Sequence, residues 1–105
     1  MKDRVISKFI QANKNLKNKI RFIYLFGSRA RGDEKPYSDY DLLLIVSENF
    51  TLADKDSLYD HVMDILLATG AVISLKIFKE GEFSKLRELG TPFIRNVLKE
   101  GVKVG

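Results

Sequence analysis

The apolar positions of the chain follow two different spacings, and each spacing predicts a different element. Over 3–18 and after Thr51 they recur every three or four residues, which is typical of a helix with one buried face. The segments 20–26, 39–46 and 71–78 are short runs of β-branched and large apolar side chains, which favour buried strands. We therefore expect three strands with helices between and around them.

Capping residues mark where several of these helices begin and end. Thr51 and Asp54 form a capping-box-like pair at the start of a helix that Gly70 ends. These helices and strands together predict an α/β fold of the α+β type, in which helices pack on a small mixed β-sheet. The later helix signals are, in chain order, a helical stretch around Phe83–Leu89, the cap and first helical position Thr91-Pro92, and the stop at Gly101.

The bulk properties predict one domain spanning 1–105. The chain has 45% hydrophobic and 30% charged residues, enough for a single core under a polar surface. It has no cysteine, which excludes disulfides, thiolate metal sites and cysteine nucleophiles. The first residues are too polar for a signal peptide and no apolar run approaches the length of a membrane span, so we expect a cytoplasmic protein without membrane contact.

Basic residues are concentrated near the start of the chain, whose net charge is +4. Such a surface can attract phosphate-bearing or acidic partners, nucleic acid included. The alternative is a basic helix face that contacts only solvent, which is the usual meaning of a charge run. Charge alone therefore gives weak support for nucleic-acid binding.

The most informative segment is "LFGSRARGDEKPYSDYDLLLIV", Leu25 to Val46. Side chains two apart on a strand share a face, so Asp39 and Asp41 should point the same way. Two carboxylates this close repel each other unless a proton or a cation lies between them. Mg²⁺ prefers oxygen ligands and commonly takes one or two carboxylates together with substrate phosphates. The pair therefore indicates a magnesium site that handles a nucleoside triphosphate.

Further candidates for binding phosphate lie in the turn before this pair and on a later strand. Gly27 allows close approach of the backbone, and a helix beginning at Ser28 would present free N–H groups. Arg29 and Arg31 could contact phosphate oxygens or could simply be exposed. Lys76, on the site-facing side of its strand, could contact phosphate or could neutralise the aspartates. Each signal is weak alone, and their combination in this order is much stronger.

The motifs "GSRARG" and "SDYDLLL" resemble those of the nucleotidyltransferase superfamily that includes DNA polymerase beta, most closely its minimal nucleotidyltransferase (MNT) branch. The resemblance implies that Gly27 and Ser28 hold the triphosphate of ATP or another NTP. It implies that Asp39 and Asp41 bind two magnesium ions and that a nucleoside monophosphate, in particular AMP, moves to an acceptor hydroxyl. It also implies a HEPN-type protein partner in a toxin–antitoxin pair, hence a possible homo- or hetero-oligomer.

The chain departs from this superfamily at a third carboxylate, which its members usually carry on a later strand. Here that strand is 71–78, and Glu80 and Glu82 lie beyond it. The alternative to an enzyme is therefore a catalytically weak or inactive MNT-fold antitoxin or regulatory protein that binds nucleotide or partner. Neither face of this strand carries an acid: one face has Ile73, Leu75 and Ile77, and the other has Val72, Ser74 and Lys76.

For several other polar residues we favour a structural role over a functional one. His61 could bind metal or act as an acid or base, but a lone histidine is more often exposed or at the edge of a core. Tyr40, between the two aspartates, should face the other side of the strand and pack, and Tyr37 is expected in the loop, with contact to the site rim as the alternative. A row of aspartates on the long helix should face solvent: Asp56, Asp60 and Asp64.

Overall fold

A computed structural model of the chain describes residues 3–36 and 38–105. Helices and strands alternate along most of this length, as the apolar pattern predicts. The elements are, in chain order, α1 Arg4–Ala12, a 3-10 turn at Lys14–Leu16, β1 Ile20–Phe26, α2 Ser28–Arg31, β2 Tyr40–Val46, α3 Leu52–Thr69, β3 Ile73–Lys79, α4 Glu80–Leu89, α5 Pro92–Glu100 and β4 Val102–Lys103.

The four strands form one mixed sheet in the order β3-β2-β1-β4. β1 runs antiparallel to both β2 and β4, whereas β2 and β3 are parallel and are joined through α3. A parallel pair needs a long crossover connection, which the 18 residues of α3 supply. The structure thus confirms the predicted fold class of helices packed on a small mixed sheet.

Strand β2 is buried on both faces because helices cover the sheet on both sides. Leu42 and Leu44 pack with side chains of α1 and α3, whereas Leu43 and Ile45 pack with side chains of α4 and α5. All four are at most 2% exposed, which explains the unbroken apolar run of this strand. An odd-numbered residue of β2 therefore faces the α4/α5 side of the sheet, and this places Asp41 on that side.

The prediction of one helix over 3–18 is wrong, because the α-helix ends at Ala12. Asn13 lies directly after it and is 3% exposed, and its side-chain Nδ2 donates to the Phe9 carbonyl at 2.8 Å. An asparagine that bonds the backbone in this way competes with the helical ladder. The Nδ1 atom of His61 lies 2.6 Å from Asn13 Oδ1, so this histidine lies at the edge of the core as expected.

A fourth strand was not among the predicted elements. β4 has only two residues and pairs with β1 at Tyr24 and Leu25. Gly101 ends α5 as predicted, and a Cβ there would overlap the Val97 carbonyl oxygen, so only glycine allows this close approach. Pairing across the sheet leaves no periodic signal in a segment this short.

Three predicted boundaries move by one or more residues. β2 begins at Tyr40 rather than at 39, β3 covers Ile73–Lys79 rather than 71–78, and α4 begins at Glu80 rather than near Phe83. Thr91 occupies the N-cap position of α5, but its side chain makes no capping bond and its Oγ1 is buried without a partner. Pro92 takes the first helical position, as predicted.

None of the helices in the described part of the chain combines the length and the apolar character needed to cross a membrane.

Candidate active site

The two aspartates lie where β2 begins, on the side of the sheet that α4 and α5 cover. Asp41 sits between Phe26 of β1 and Ser74 of β3 in the sheet, and Asp39 precedes the first residue of the strand. The segment Ser38–Asp41 is called the aspartate segment below. Asp41 is half-buried and Asp39 is exposed, so the pair opens from the sheet toward solvent.

The Asp41 carboxyl is held in surroundings that disfavour its charged form. Burial is the main cause that raises its pKa, and the negative charge of Asp39 raises this pKa further. Arg31 and Lys76 act in the opposite direction and lower the pKa of Asp41. Because two carboxylates repel each other here, a bound cation would relieve the repulsion.

Gly27 brings the backbone against this carboxylate. It follows β1 directly and is the N-cap of α2, with φ +73° and ψ −157°, a region that is essentially restricted to glycine. A Cβ added at this position would overlap Asp41 Oδ2 and would lie 3.3 Å from Asp41 Cγ. The pair Gly27–Ser28, called the phosphate turn below, therefore meets Asp41 with no space between them for any side chain.

Helix α2 is a single turn that starts at the phosphate turn. The Gly27 carbonyl accepts from the amides of Ala30 at 3.1 Å and Arg31 at 3.2 Å. The earlier amides of a helix have no intrahelical acceptor, so those of Ser28 and Arg29 can donate to an oxygen outside the helix. The predicted helix start at Ser28 is confirmed.

Arg31 lies on the same side of the sheet as Asp41. Its Nε is 3.3 Å from Asp33 Oδ2, and its Nη1 is 3.9 Å from Oε2 of Glu100. Arg31 is exposed, and its positive charge lowers the pKa of Asp41. Arg31 is thus placed where an anion bound at the phosphate turn would meet a positive charge.

A cleft of about 220 Å³, which the sequence did not predict, adjoins the phosphate turn on the α5 side. Its apolar wall includes Phe26 and Phe93, whose rings meet edge to face with centroids 5.4 Å apart. Asn96 and Glu100 line it from α5 at a spacing of four residues, so they share a helix face. That spacing is the only sequence signal for the cleft, and it does not show which element the face would meet.

Arg29 is not brought to the Asp41 side. Its Nε donates to the Ser38 carbonyl at 3.0 Å, and its guanidinium lies 3.9 Å from the centroid of the Tyr40 ring. Tyr40 is 7% exposed and packs on the opposite face of β2, as predicted. The structure therefore places the Arg29 side chain against the aspartate segment and not beside Asp41.

Strand β3 supplies no acid next to Asp41, as the sequence predicts. Ser74 is its direct neighbour, and the next residue of β3 on that face is the exposed Lys76. Glu80 follows the opposite end of β3, where it lies 3.0 Å from Arg21 Nε. The two ends of β3, Ile73 and Lys79, are six residue steps apart, or about 20 Å. Glu82 is bound there too, because its Oε1 accepts from the Lys79 amide at 3.1 Å.

The two aspartates match the donors that a hard divalent cation takes from a protein. Within residues 3–36 and 38–105, no group of three or more histidine or acidic side chains is arranged to hold a metal alone. Asp39 and Asp41 offer only oxygen, and Mg²⁺ is commonly bound by one or two carboxylates with the rest of its shell supplied by water and substrate phosphates. The donor set therefore fits magnesium that arrives with a nucleotide. Tyr37 lies outside the described residues.

Comparison with known proteins identifies relatives along almost the whole chain. Residues 6–104 match the family described as "Polymerase beta, Nucleotidyltransferase". The chain is 36% identical over 100 residues to "Putative protein adenylyltransferase MJ0604" of Methanocaldococcus jannaschii, covering 94% of this chain and 93% of that protein. It is 36% identical over 89 residues to "Putative protein adenylyltransferase MJ0141" of the same organism, covering 85% of this chain and 83% of that protein.

Solved structures of similar fold come from toxin–antitoxin systems. One is a toxin–antitoxin crystallised with AMP-PNP, with a TM-score of 0.61 and 21% identity, covering 92% of this chain and 69% of that chain. A mutant of the toxin–antitoxin MntA–HpeT has a TM-score of 0.61 and 20% identity, covering 95% of this chain and 71% of that chain. These similarities confirm the fold.

Proposed function

The chain belongs to the polymerase beta nucleotidyltransferase family, and on that premise we propose that it transfers AMP from ATP to a hydroxyl group on a partner protein. The family match confirms the resemblance that "GSRARG" and "SDYDLLL" carry. The names of the two archaeal relatives support adenylyl transfer to protein. The toxin–antitoxin structures of similar fold support a toxin as partner, and we propose one of the HEPN type.

The reaction forms one bond and breaks one at the α-phosphorus of ATP. The acceptor oxygen attacks this phosphorus, the bond to the β-phosphate oxygen breaks, and pyrophosphate leaves with the bonding electrons. The phosphate turn and Arg31 would bind the triphosphate, and Asp39 and Asp41 would hold the magnesium ions. Such cations, when bound, neutralise charge on the phosphates and on the attacking and leaving oxygens.

Strand β3 supplies no acid that could accept the proton of the acceptor hydroxyl. Ser74 and Lys76 occupy the positions of β3 nearest to Asp41 on its face, and neither is an acid. We propose that this proton passes to water. General-base assistance typically contributes a factor of about 10²–10⁴, so turnover should be slow by about that factor. Positioning and electrostatics carry much of phosphoryl-type transfer and would sustain the remaining rate.

One observation carries the proposal: the backbone of Gly27 lies directly against the Asp41 carboxylate. Glycine at this point lets a bound phosphate oxygen approach both the backbone N–H groups and the metal ligand. The arrangement therefore supports binding of a triphosphate and its cation at one place.

Transfer of label from α-labelled ATP to the product of the neighbouring gene tests the proposal. Wild-type protein with Mg²⁺ should label the partner, whereas Asp39→Asn and Asp41→Asn should reduce the initial rate at least about 100-fold. Arg87→Ala, at an exposed position of α4, is the matched control and should keep the wild-type rate. Transfer that is equal in all variants would contradict the proposal.

A second candidate function is favoured by the absence of an acid at Ser74 and Lys76. The protein would then neutralise a toxin by binding it, without turnover. Under this alternative, the folded variant Asp39→Asn with Asp41→Asn still protects cells that express the toxin. Loss of protection in that variant would favour adenylyl transfer instead.

A further inference from the structure

We propose that Arg29 is a positioning residue that sets where the aspartate segment stands relative to the phosphate turn. Its side chain leaves α2 and contacts that segment at two points. Nε donates to the Ser38 carbonyl at 3.0 Å, directly before Asp39. The Cζ atom of its guanidinium lies over the ring of Tyr40, 3.9 Å from the ring centroid. One side chain of the helix that starts at the phosphate turn thus holds the segment on both sides of Asp39.

Holding Tyr40 fixes the direction of Asp41, its neighbour on β2. Successive side chains of a strand point to opposite faces, so the position of the Tyr40 ring on one face determines where Asp41 projects on the other. Tyr40 is itself anchored, because its hydroxyl donates to Asp3 Oδ2 at 2.9 Å and its amide donates to the Val72 carbonyl at 2.9 Å. Arg29 therefore connects α2 to a rigid point of the sheet.

Helix geometry directs the two arginines of α2 to opposite sides and gives them different roles. Residues two apart in an α-helix project about 200° apart, so Arg29 and Arg31 leave α2 on nearly opposite sides. Arg31 lies on the side of Asp41, and Arg29 lies on the side of Tyr40. The first is placed to meet an anion, and the second is placed to hold the protein.

A guanidinium is well suited to make both contacts of Arg29, because its charge lies over the ring while Nε donates to Ser38. A guanidinium stacks on an aromatic face while its Nε donates in the plane of the group. A lysine ammonium keeps the charge but has no plane, so it cannot stack on Tyr40 and donate to Ser38 in this way. Arg29→Lys should therefore keep the positioning of the aspartate segment only in part, and Arg29→Met should lose it.

Binding of Mn²⁺ in the presence of a saturating, non-hydrolysable ATP analogue, measured by electron paramagnetic resonance, tests the inference, which rests on the proposed function in assuming a cation at the aspartates. Arg29→Met should weaken Mn²⁺ binding about 10-fold or more, the usual effect of removing a residue that orients metal ligands, and Arg29→Lys should fall between. The matched control is Arg21→Met, which removes an exposed ion pair with Glu80 at the far end of the sheet and should leave binding unchanged.

Tyr40→Leu removes the ring that Arg29 covers. Combining it with Arg29→Met distinguishes a positioning role of Arg29 from a general loss of stability. If the two side chains act together, Arg29→Met adds little to the loss of Mn²⁺ affinity already caused by Tyr40→Leu. Full additivity in folded variants would overturn the inference. Wild-type affinity in Arg29→Met would overturn it as well.

Hydrogen exchange of the amides in the aspartate segment decides the inference even if no cation binds. In metal-free protein, Arg29→Met should speed this exchange, while the exchange of β1 and the rest of β2 stays as in wild type. Unchanged exchange in the aspartate segment would overturn the positioning role. Faster exchange, together with no Mn²⁺ binding to wild-type protein in the presence of the ATP analogue, would uphold it and would contradict the proposed function instead.

Discussion

Replacing Gly27 by alanine should destabilise the protein and displace the Asp41 carboxylate together. The backbone of Gly27 has φ +73° and ψ −157°, where a residue with a side chain costs about 1–3 kcal/mol. The new methyl group would overlap Asp41 Oδ2, and turning that carboxylate out of its rotamer costs about 1 kcal/mol more. We expect the free energy of unfolding to fall by about 2–4 kcal/mol, measured by urea denaturation at equilibrium.

Gly70→Ala is the matched control, since Gly70 also has a positive φ, +77°, but a Cβ there has no neighbour within 4 Å. It should cost only about 1–2 kcal/mol. In an Asp41→Ala background the overlap disappears, so the cost of Gly27→Ala should shrink by about 1 kcal/mol. An equal cost in both backgrounds, no larger than that of Gly70→Ala, would refute the contact between turn and carboxylate.

Three further changes test other parts of the structure by denaturation. Asp41→Asn should stabilise metal-free protein at pH 7, because the pKa of Asp41 is raised in the folded state and the stability of wild type therefore falls as pH rises through that folded pKa. The gain in stability should vanish well below the usual aspartate pKa, and a loss of stability at pH 7 would contradict this account. His61→Ala should cost about 1–2 kcal/mol because it leaves Asn13 Oδ1 buried without its partner, and an unchanged free energy of unfolding would refute that role. Thr91→Val should be neutral or stabilising by up to about 1 kcal/mol, since the buried Oγ1 has no partner to lose, and a clear destabilisation would show a bond that the structure lacks.

Local spacing was sufficient to predict the parts of the site that lie close together along the chain. The alternation of side chains on β2 placed Asp41 on the face opposite Tyr40, and the glycine break placed the start of α2 at Ser28. These inferences need only the period of a strand and the conformational freedom of glycine. The lack of an acid on β3 could likewise be read from alternation alone.

Contacts between distant segments were not predictable in this way. The course of Arg29 depends on the ring of Tyr40, eleven residues away, and the cleft beside the phosphate turn depends on how α5 packs against β1. The strand β4 exists because Val102 pairs with a residue of β1 far earlier in the chain. Each of these results from tertiary packing, which leaves no period in the sequence.

The most direct test of the central claim compares ATP labelled at the α-phosphorus with ATP labelled at the γ-phosphorus in the same reaction with Mg²⁺ and the partner protein. Attack at the α-phosphorus leaves the α-label on the partner and releases the γ-label in pyrophosphate. The account predicts α-label alone on the partner, and its loss when Asp41 is replaced by asparagine. Partner protein that carries γ-label, or α-label that does not depend on Asp41, would contradict the account.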